Sequence, residues 1–160
     1  MAAHFHSIPI KKIIRETPDC VSLVFDIPDE LTGAFLYKEG QNITLRKTLN
    51  DIDVRRSYSI CNAPYENELK VAVKKVAGGL FSGFANDVLK SGDIIDIMPP
   101  SGNFNARLSD KKNPSYLAVA AGSGITPVIS IIKHTLKTQP DSCFTLIYGN
   151  KSREIGRAHV

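Results

Sequence analysis

Arg55-Arg56-Ser57-Tyr58-Ser59-Ile60 gathers cations, an aromatic ring and two hydroxyls into one short stretch. A guanidinium pairs with a diphosphate, a phenol ring lies along a planar heterocycle, and a hydroxyl hydrogen-bonds a ring nitrogen. A strand would fix their order along such a ligand, although Arg-x-Tyr-Ser is also what an ordinary barrel strand with an incidental arginine carries. Downstream, Lys74-Lys75-Val76-Ala77-Gly78-Gly79-Leu80-Phe81-Ser82 sets two glycines and a serine at the entry to a helical pattern. Backbone N–H groups and the helix dipole face an anion at such an entry; the plain alternative is a glycine-capped turn. Gly122-Ser123-Gly124-Ile125-Thr126-Pro127 is a second phosphate cradle of the same kind. Pro127 stands where GxGxxG would place its third glycine, so the Rossmann fingerprint is not met. Thr126 serves there either as helix cap or as ligand contact.

The elements that hold these residues follow from hydrophobic spacing. Val21, Leu23, Phe25 and Ile27 alternate, as do Ile43 and Leu45, and Leu69, Val71 and Val73. Period two means half-buried strands, and the Pro, Gly, Asn and Asp clusters between them, Asn50-Asp51 among them, mark turns. Several short strands of this kind predict an antiparallel β-barrel over residues 5–104, interrupted by one short helix from Leu80 to Leu89 and followed by a strand from Asp93 to Met98. The helix carries Leu80, Phe81, Phe84, Val88 and Leu89 at helical spacing.

After a linker over 105–115 the texture changes. Tyr116 to Ala121 is a continuous apolar run, the pattern of a parallel strand covered on both faces. With Thr126 as N-cap, Pro127 as first helical residue, a helix to about Leu136 and a second buried strand from Cys143 to Tyr148, residues 116–153 read as a βαβ unit. The fold class expected is therefore an antiparallel barrel followed by the truncated start of an α/β nucleotide-binding domain. Residues 154–160 back-translate to a stretch resembling a sequencing-library adapter and are set aside as a non-native scar. Truncation predicts open apolar faces on Leu117, Val119, Ile131, Ile132 and Ile147.

The 160 residues hold 20 Lys+Arg against 16 Asp+Glu, a net charge of +4, with 42% hydrophobic and 22% charged side chains. These values exclude a disordered chain and give only a weak footprint for nucleic acid. Cys20, Cys61 and Cys143 are odd in number and widely spaced, which argues against a disulfide framework or a metal centre within this chain. With no bilayer-length apolar run and no signal-peptide core, the expectation is a cytoplasmic protein.

The ordered series Arg56-Ser57-Tyr58-Ser59, Val73-Lys74-Lys75, Gly79-Leu80-Phe81-Ser82, Pro99-Pro100-Ser101-Gly102-Asn103-Phe104, Gly122 to Pro127 and Tyr148-Gly149-Asn150 resembles the ferredoxin–NADP reductase superfamily of flavoenzymes, in particular the reductase subunits of phenylacetyl-CoA epoxidases. The resemblance runs from about Phe5 to Arg153. It implies that Arg56 pairs with the FAD diphosphate, that Tyr58 packs along the flavin and that Ser59 lies near its N5. Ser57, Val73 and Lys75 join the FAD set, and Gly79, Leu80, Phe81 and Ser82 hold the diphosphate through backbone groups. Gly122, Ser123, Gly124, Thr126 and Pro127 receive the nicotinamide nucleotide, Thr126 near where it meets flavin, with Gly149 and Asn150 lining the same crevice. Ser59 and Thr126 are then the residues beside the reacting atoms.

The activity implied is hydride transfer from NAD(P)H to FAD, then one-electron delivery to an iron–sulphur domain or protein that serves the oxygenase subunits of a multicomponent system. In the epoxidase reductases a two-iron, two-sulphur cluster sits on four cysteines of a C-terminal ferredoxin-like domain, a pattern with no match in this sequence. Lys151, Ser152 and Arg153 favour NADPH over NADH. Two rivals are the flavin-binding electron-transfer subunit of dihydroorotate dehydrogenase, in the same superfamily, and a non-enzymatic barrel that binds single-stranded nucleic acid. Neither a nucleic-acid nor a membrane partner is expected. The bland readings are an exposed helix residue for His134, unliganded side chains for His4 and His6, a small core residue for Cys61, and turn or surface carboxylates for Asp26, Asp29, Glu30, Asp93 and Asp96.

Overall fold

A computed structural model describes residues 4–105, 108–109 and 112–150. The proposed scar and the Lys151-Ser152-Arg153 stretch lie outside the described residues. Strands β1 (His6–Thr17), β2 (Cys20–Phe25), β3 (Asn42–Leu49), β4 (Ile52–Ser59), β5 (Leu69–Lys74) and β6 (Ile94–Ile97) form one sheet in the order β4-β3-β6-β1-β2-β5. Every pairing in it is antiparallel. A bridge between Ile60 and Val71 joins the chain just past β4 to β5, and the Cys61 N–H donates to the Lys70 carbonyl at 2.9 Å. The sheet thereby closes on itself as a barrel. Alternate residues turn inward, so Ile8, Leu23, Ile43, Leu45, Val71 and Ile97 are fully buried, each contributing about 1.5–3 kcal/mol by leaving water.

The β3–β4 hairpin sets the positions that matter for the site. Leu49 pairs with Ile52 across a two-residue turn in which Asn50 (φ 49°) and Asp51 (φ 62°) both occupy the left-handed region. That is the turn whose twist matches paired strands, and Asn and Asp tolerate it better than other side chains. The register that follows places Arg56 opposite Leu45 and Tyr58 opposite Ile43. Arg56 and Tyr58 therefore share the side of the sheet that carries Ile43 and Leu45, while Ser57 and Ser59 turn the other way.

Helix α1 (Leu80–Asp87) packs against β4 and β5 and buries Phe81 and Ala85. It is shorter than its apolar spacing suggests. The helix ends at Asp87, and Leu80 and Val88 are exposed rather than core-facing. In strand β1, which the hydrophobic spacing above did not include, two register shifts at Ile10/Lys12 and Arg15/Thr17 break the alternation.

Beyond the barrel, β7 (Ser115–Ala121) and β8 (Cys143–Gly149) pair in parallel, joined by α2 (Ile125–Thr138). The expectation that β7 is covered on both faces is not met in this chain. Helix α2 lies on one face, and Leu117 and Val119 are 66% and 70% exposed on the other, with Ile147 beside them. Ile131, expected to be uncovered, is buried because that side of α2 packs on the barrel. His134 is likewise half-buried rather than free on the helix surface, its Nε2 lying 3.6 Å from the Glu39 carboxylate. No helix among the described residues is long and apolar enough to cross a membrane.

Candidate functional site

Arg56 and Arg55 differ sharply in their surroundings. Arg55 forms a 2.6 Å ion pair with Asp53 and lies over the Phe5 ring, whereas the Arg56 guanidinium donates only to the carbonyl of Arg55, at 2.7 Å. Among the described residues Arg56 has no acidic partner, so its charge is available to an anionic ligand. Two residues on, the Tyr58 ring lies 5.8 Å from that of Phe81 in the first turn of α1. Burial pushes the Tyr58 hydroxyl above its usual pKa against the opposing effect of Arg56, which keeps the phenol neutral. Ser57 bonds Thr44 across the hairpin at 2.8 Å, and Ser59, at the end of β4, pairs with Asn42.

The Gly79–Ser82 turn is built from the inside. The Ser82 hydroxyl accepts the Val76 N–H at 3.1 Å and donates to the Gly79 carbonyl at 3.3 Å, while Gly79 N–H closes onto the Val76 carbonyl at 2.9 Å. A Cβ at Gly79 would stand 2.4 Å from the Ser82 hydroxyl, so only glycine allows this closure. Ser82 thus shapes the turn through its side chain, leaving first-turn amides of α1 to point outward along the helix axis. Val73 and Lys75 sit differently from the rest of the predicted set. The Val73 side chain is fully buried and its carbonyl accepts the Asn86 amide, while the Lys75 ammonium is held by Asp87 at 2.6 Å. Neither offers a free group beside Tyr58.

At the nucleotide unit, Gly122–Gly124 forms a single 3-10 turn that runs straight into α2. Thr126 is not the N-cap. Gly124 holds that position, and the Thr126 hydroxyl donates back to the Ser123 carbonyl at 3.0 Å, with Pro127 inside the first turn rather than opening it. The Tyr148 hydroxyl donates to the Gly122 carbonyl at 3.0 Å, and Gly149 pairs with Ala121. The turn, Thr126 and the Gly149-Asn150 end of β8 therefore gather at the carboxyl edge of the parallel pair, where α/β sheets bind their ligands.

The barrel thus carries an arginine without an acidic partner, an aromatic ring and a helix amino end on one side of β4, and the parallel βαβ unit carries a glycine turn at the start of α2. The oxidoreductase FAD-binding domain family matches residues 7–106 and the oxidoreductase NAD-binding domain family residues 118–155. A 1,2-phenylacetyl-CoA epoxidase component from Escherichia coli K12 is 41% identical over 150 residues, covering 94% of this chain and 42% of that protein. The ferredoxin reductase component of the Rhodococcus rhodochrous 3-ketosteroid-9-alpha-monooxygenase is 36% identical, covering 92% and 41%. Phthalate dioxygenase reductase, described as a modular structure for electron transfer from pyridine nucleotides to [2Fe-2S], superposes with a TM-score of 0.73 at 28% identity, over 96% of this chain and 46% of that one. The chain belongs to the ferredoxin–NADP reductase superfamily, with an FAD-binding domain and an NAD(P)-binding segment, and it spans about two-fifths of the length of these curated relatives. Its cofactors are FAD and NAD(P)H.

Residues that sequence reasoning missed lie between the two units: Gly40, Asn62, Glu66, Ser130 and Lys133. Each is unremarkable in type, and only contacts across about 70 to 90 residues of sequence distinguish them. Cys61, by contrast, is the small core thiol its position suggests. Burial pushes its pKa up to about 11, and its Sγ donates to the Lys70 carbonyl at 3.3 Å. A shift from 9.0 to about 11 cuts the thiolate fraction near pH 8 about a hundredfold. The greater nucleophilicity of the more basic thiolate offsets part of this, so iodoacetamide at pH 8 is expected to label exposed Cys143 about tenfold or more faster than Cys61, as measured by peptide mass spectrometry. Equal labelling would show Cys61 to be an accessible, reactive thiol.

Proposed function

We propose that the chain is the flavin- and nicotinamide-binding part of a reductase that accepts hydride from NAD(P)H and passes electrons singly to an iron–sulphur centre serving an oxygenase of the phenylacetyl-CoA epoxidase type. The observation that carries this reading is the meeting of Arg56, Tyr58 and the amino end of α1 on one side of β4. Those groups suit FAD: a free guanidinium and helix amides for its diphosphate, and a ring for its heterocycle. Bound FAD supplies the conversion between two-electron and one-electron chemistry.

The chain's own part is placement. Arg56 and the Gly79–Phe81 backbone would hold the diphosphate and Tyr58 would lie along the heterocycle, while Ser59 ends β4 on the opposite face, so its place near the reacting nitrogen rests on the family resemblance alone. The Gly122–Gly124 turn would take the nicotinamide nucleotide, with Thr126 beside it at the start of α2. Holding the two reactants in register converts an encounter between free molecules into a step within one complex. An oxygenase partner is favoured because both curated relatives are named as components of oxygenating systems.

The test is a visible spectrum of the purified chain with FAD, recorded before and after anaerobic NADPH and, separately, NADH. Stoichiometric binding with quenched flavin fluorescence, followed by bleaching of the flavin band, is expected. A folded chain that leaves FAD free in solution overturns the reading.

A further inference from the structure

The face that α2 turns toward the barrel is polar at its centre. Ser130 is fully buried and donates to the Asn62 carbonyl at 2.6 Å. One turn on, the Lys133 ammonium lies 2.9 and 3.2 Å from the two carboxylate oxygens of Glu66. Glu66 also accepts the Ala63 N–H at 2.6 Å, so one carboxylate both folds the turn after β4 and grips the helix. Burial works to raise the Glu66 pKa, but the Ala63 amide and Lys133 outweigh it and hold the carboxyl below its usual value. Between these contacts, Ile131 rests on Gly40. A Cβ on Gly40, which has φ +81°, would stand 3.2 Å from Ile131 Cδ1 and 1.6 Å from the Phe104 carbonyl oxygen.

The placement of this joint gives it leverage. Asn62 follows Ser59 by three residues, and Ser130 lies four residues, one helical turn of about 6 Å, beyond Thr126 on the same side of α2. The joint thus stands within a few residues of both groups assigned to the reacting centre. It touches neither.

We propose that Ser130, Lys133 and Glu66 are positioning residues that lock α2 against the turn following β4 and so fix where the Gly122–Gly124 turn presents a nicotinamide relative to Ser59. The proposal rests on β4 being the flavin strand. Removing the Ser130 hydroxyl strands a buried carbonyl, and removing the Lys133 charge frees Glu66 from the helix. Either change lets α2 rock while leaving the barrel's core untouched.

Hydrogen exchange of the α2 amides, compared among the wild-type, Ser130→Ala and Lys133→Met chains, tests the lock directly. Stopped-flow flavin bleaching at saturating NADPH tests its consequence. The expected result is α2 exchange about tenfold faster in Ser130→Ala and about threefold faster in Lys133→Met. Bleaching should slow in the same proportions, with FAD affinity and the half-saturating NADPH concentration within about twofold of wild type, and with Lys133→Arg restoring the rate. Unchanged α2 exchange, faster exchange with an unchanged bleaching rate, or a parallel collapse of FAD binding would each overturn the proposal. A wild-type chain that binds FAD without bleaching contradicts the nicotinamide assignment itself, and the exchange comparison then decides whether the lock exists.

Discussion

Replacing Arg56 with alanine is expected to weaken FAD binding by about 10- to 150-fold while leaving the thermal midpoint of the chain unchanged. The affinity follows from a charge-assisted hydrogen bond to a phosphate, worth about 1.5–3 kcal/mol. The unchanged midpoint follows from the surroundings, since Arg56 is exposed and bonds only the carbonyl beside it. Arg55→Ala supplies the control. Arg55 is engaged with Asp53 and Phe5, and its loss should leave FAD affinity within about twofold. Arg56→Lys should recover part of the loss, because an ammonium keeps the charge and lacks the planar fork. Fluorescence titration of the three variants in parallel with thermal denaturation makes the comparison. Equal effects from Arg55 and Arg56 would remove the case for a diphosphate at this position.

Phe81→Ala carries the largest expected stability cost, about 3–5 kcal/mol. Phe81 is 1% exposed and has the Tyr58 ring at 5.8 Å and the Phe84 ring at 6.4 Å, so truncation opens a cavity where α1 meets β4. For a chain of this size each kcal/mol shifts the midpoint by about 2–4 °C, and a loss of about 6–20 °C should be read in a thermal melt. FAD affinity should fall as well, because Tyr58 loses the ring that orients it. Leu80→Ala, one residue away and 44% exposed, should cost little by comparison. Phe81→Leu should recover most of the stability and less of the FAD affinity, since volume returns without the flat ring. Similar melts for Phe81→Ala and Leu80→Ala would show that the helix does not brace Tyr58.

The barrel was legible because its strands alternate, and alternation is a local property. The candidate site motifs stood out for a related reason: Arg56 to Ser59, Gly79 to Ser82 and Gly122 to Thr126 each combine their chemistry within a few consecutive residues. Local reading went wrong where a competing contact decides. Thr126 has the composition of an N-cap, yet the 3-10 turn before it moves the cap to Gly124. Val88 has helical spacing but falls beyond the end of α1. Ile131 and His134 could not be placed correctly from their own segment, because what covers them lies in the barrel some 90 residues earlier. The joint around Ser130 was invisible for the same reason, as a serine opposite a backbone carbonyl leaves no trace in composition.

The two-residue turn at Asn50 and Asp51 has a bearing on how sequences of this kind can diverge. Insertions and deletions are ordinarily tolerated at hairpin tips, where few contacts are lost. Here the tip also sets parity. One added residue that slid β4 by a single step against β3 would bring Arg55, Ser57 and Ser59 to the side now held by Arg56 and Tyr58, exchanging the free guanidinium for one already bound to Asp53. An added residue is therefore compatible with the motif on β4 where a longer loop or a bulge absorbs it and leaves the β3–β4 register unchanged.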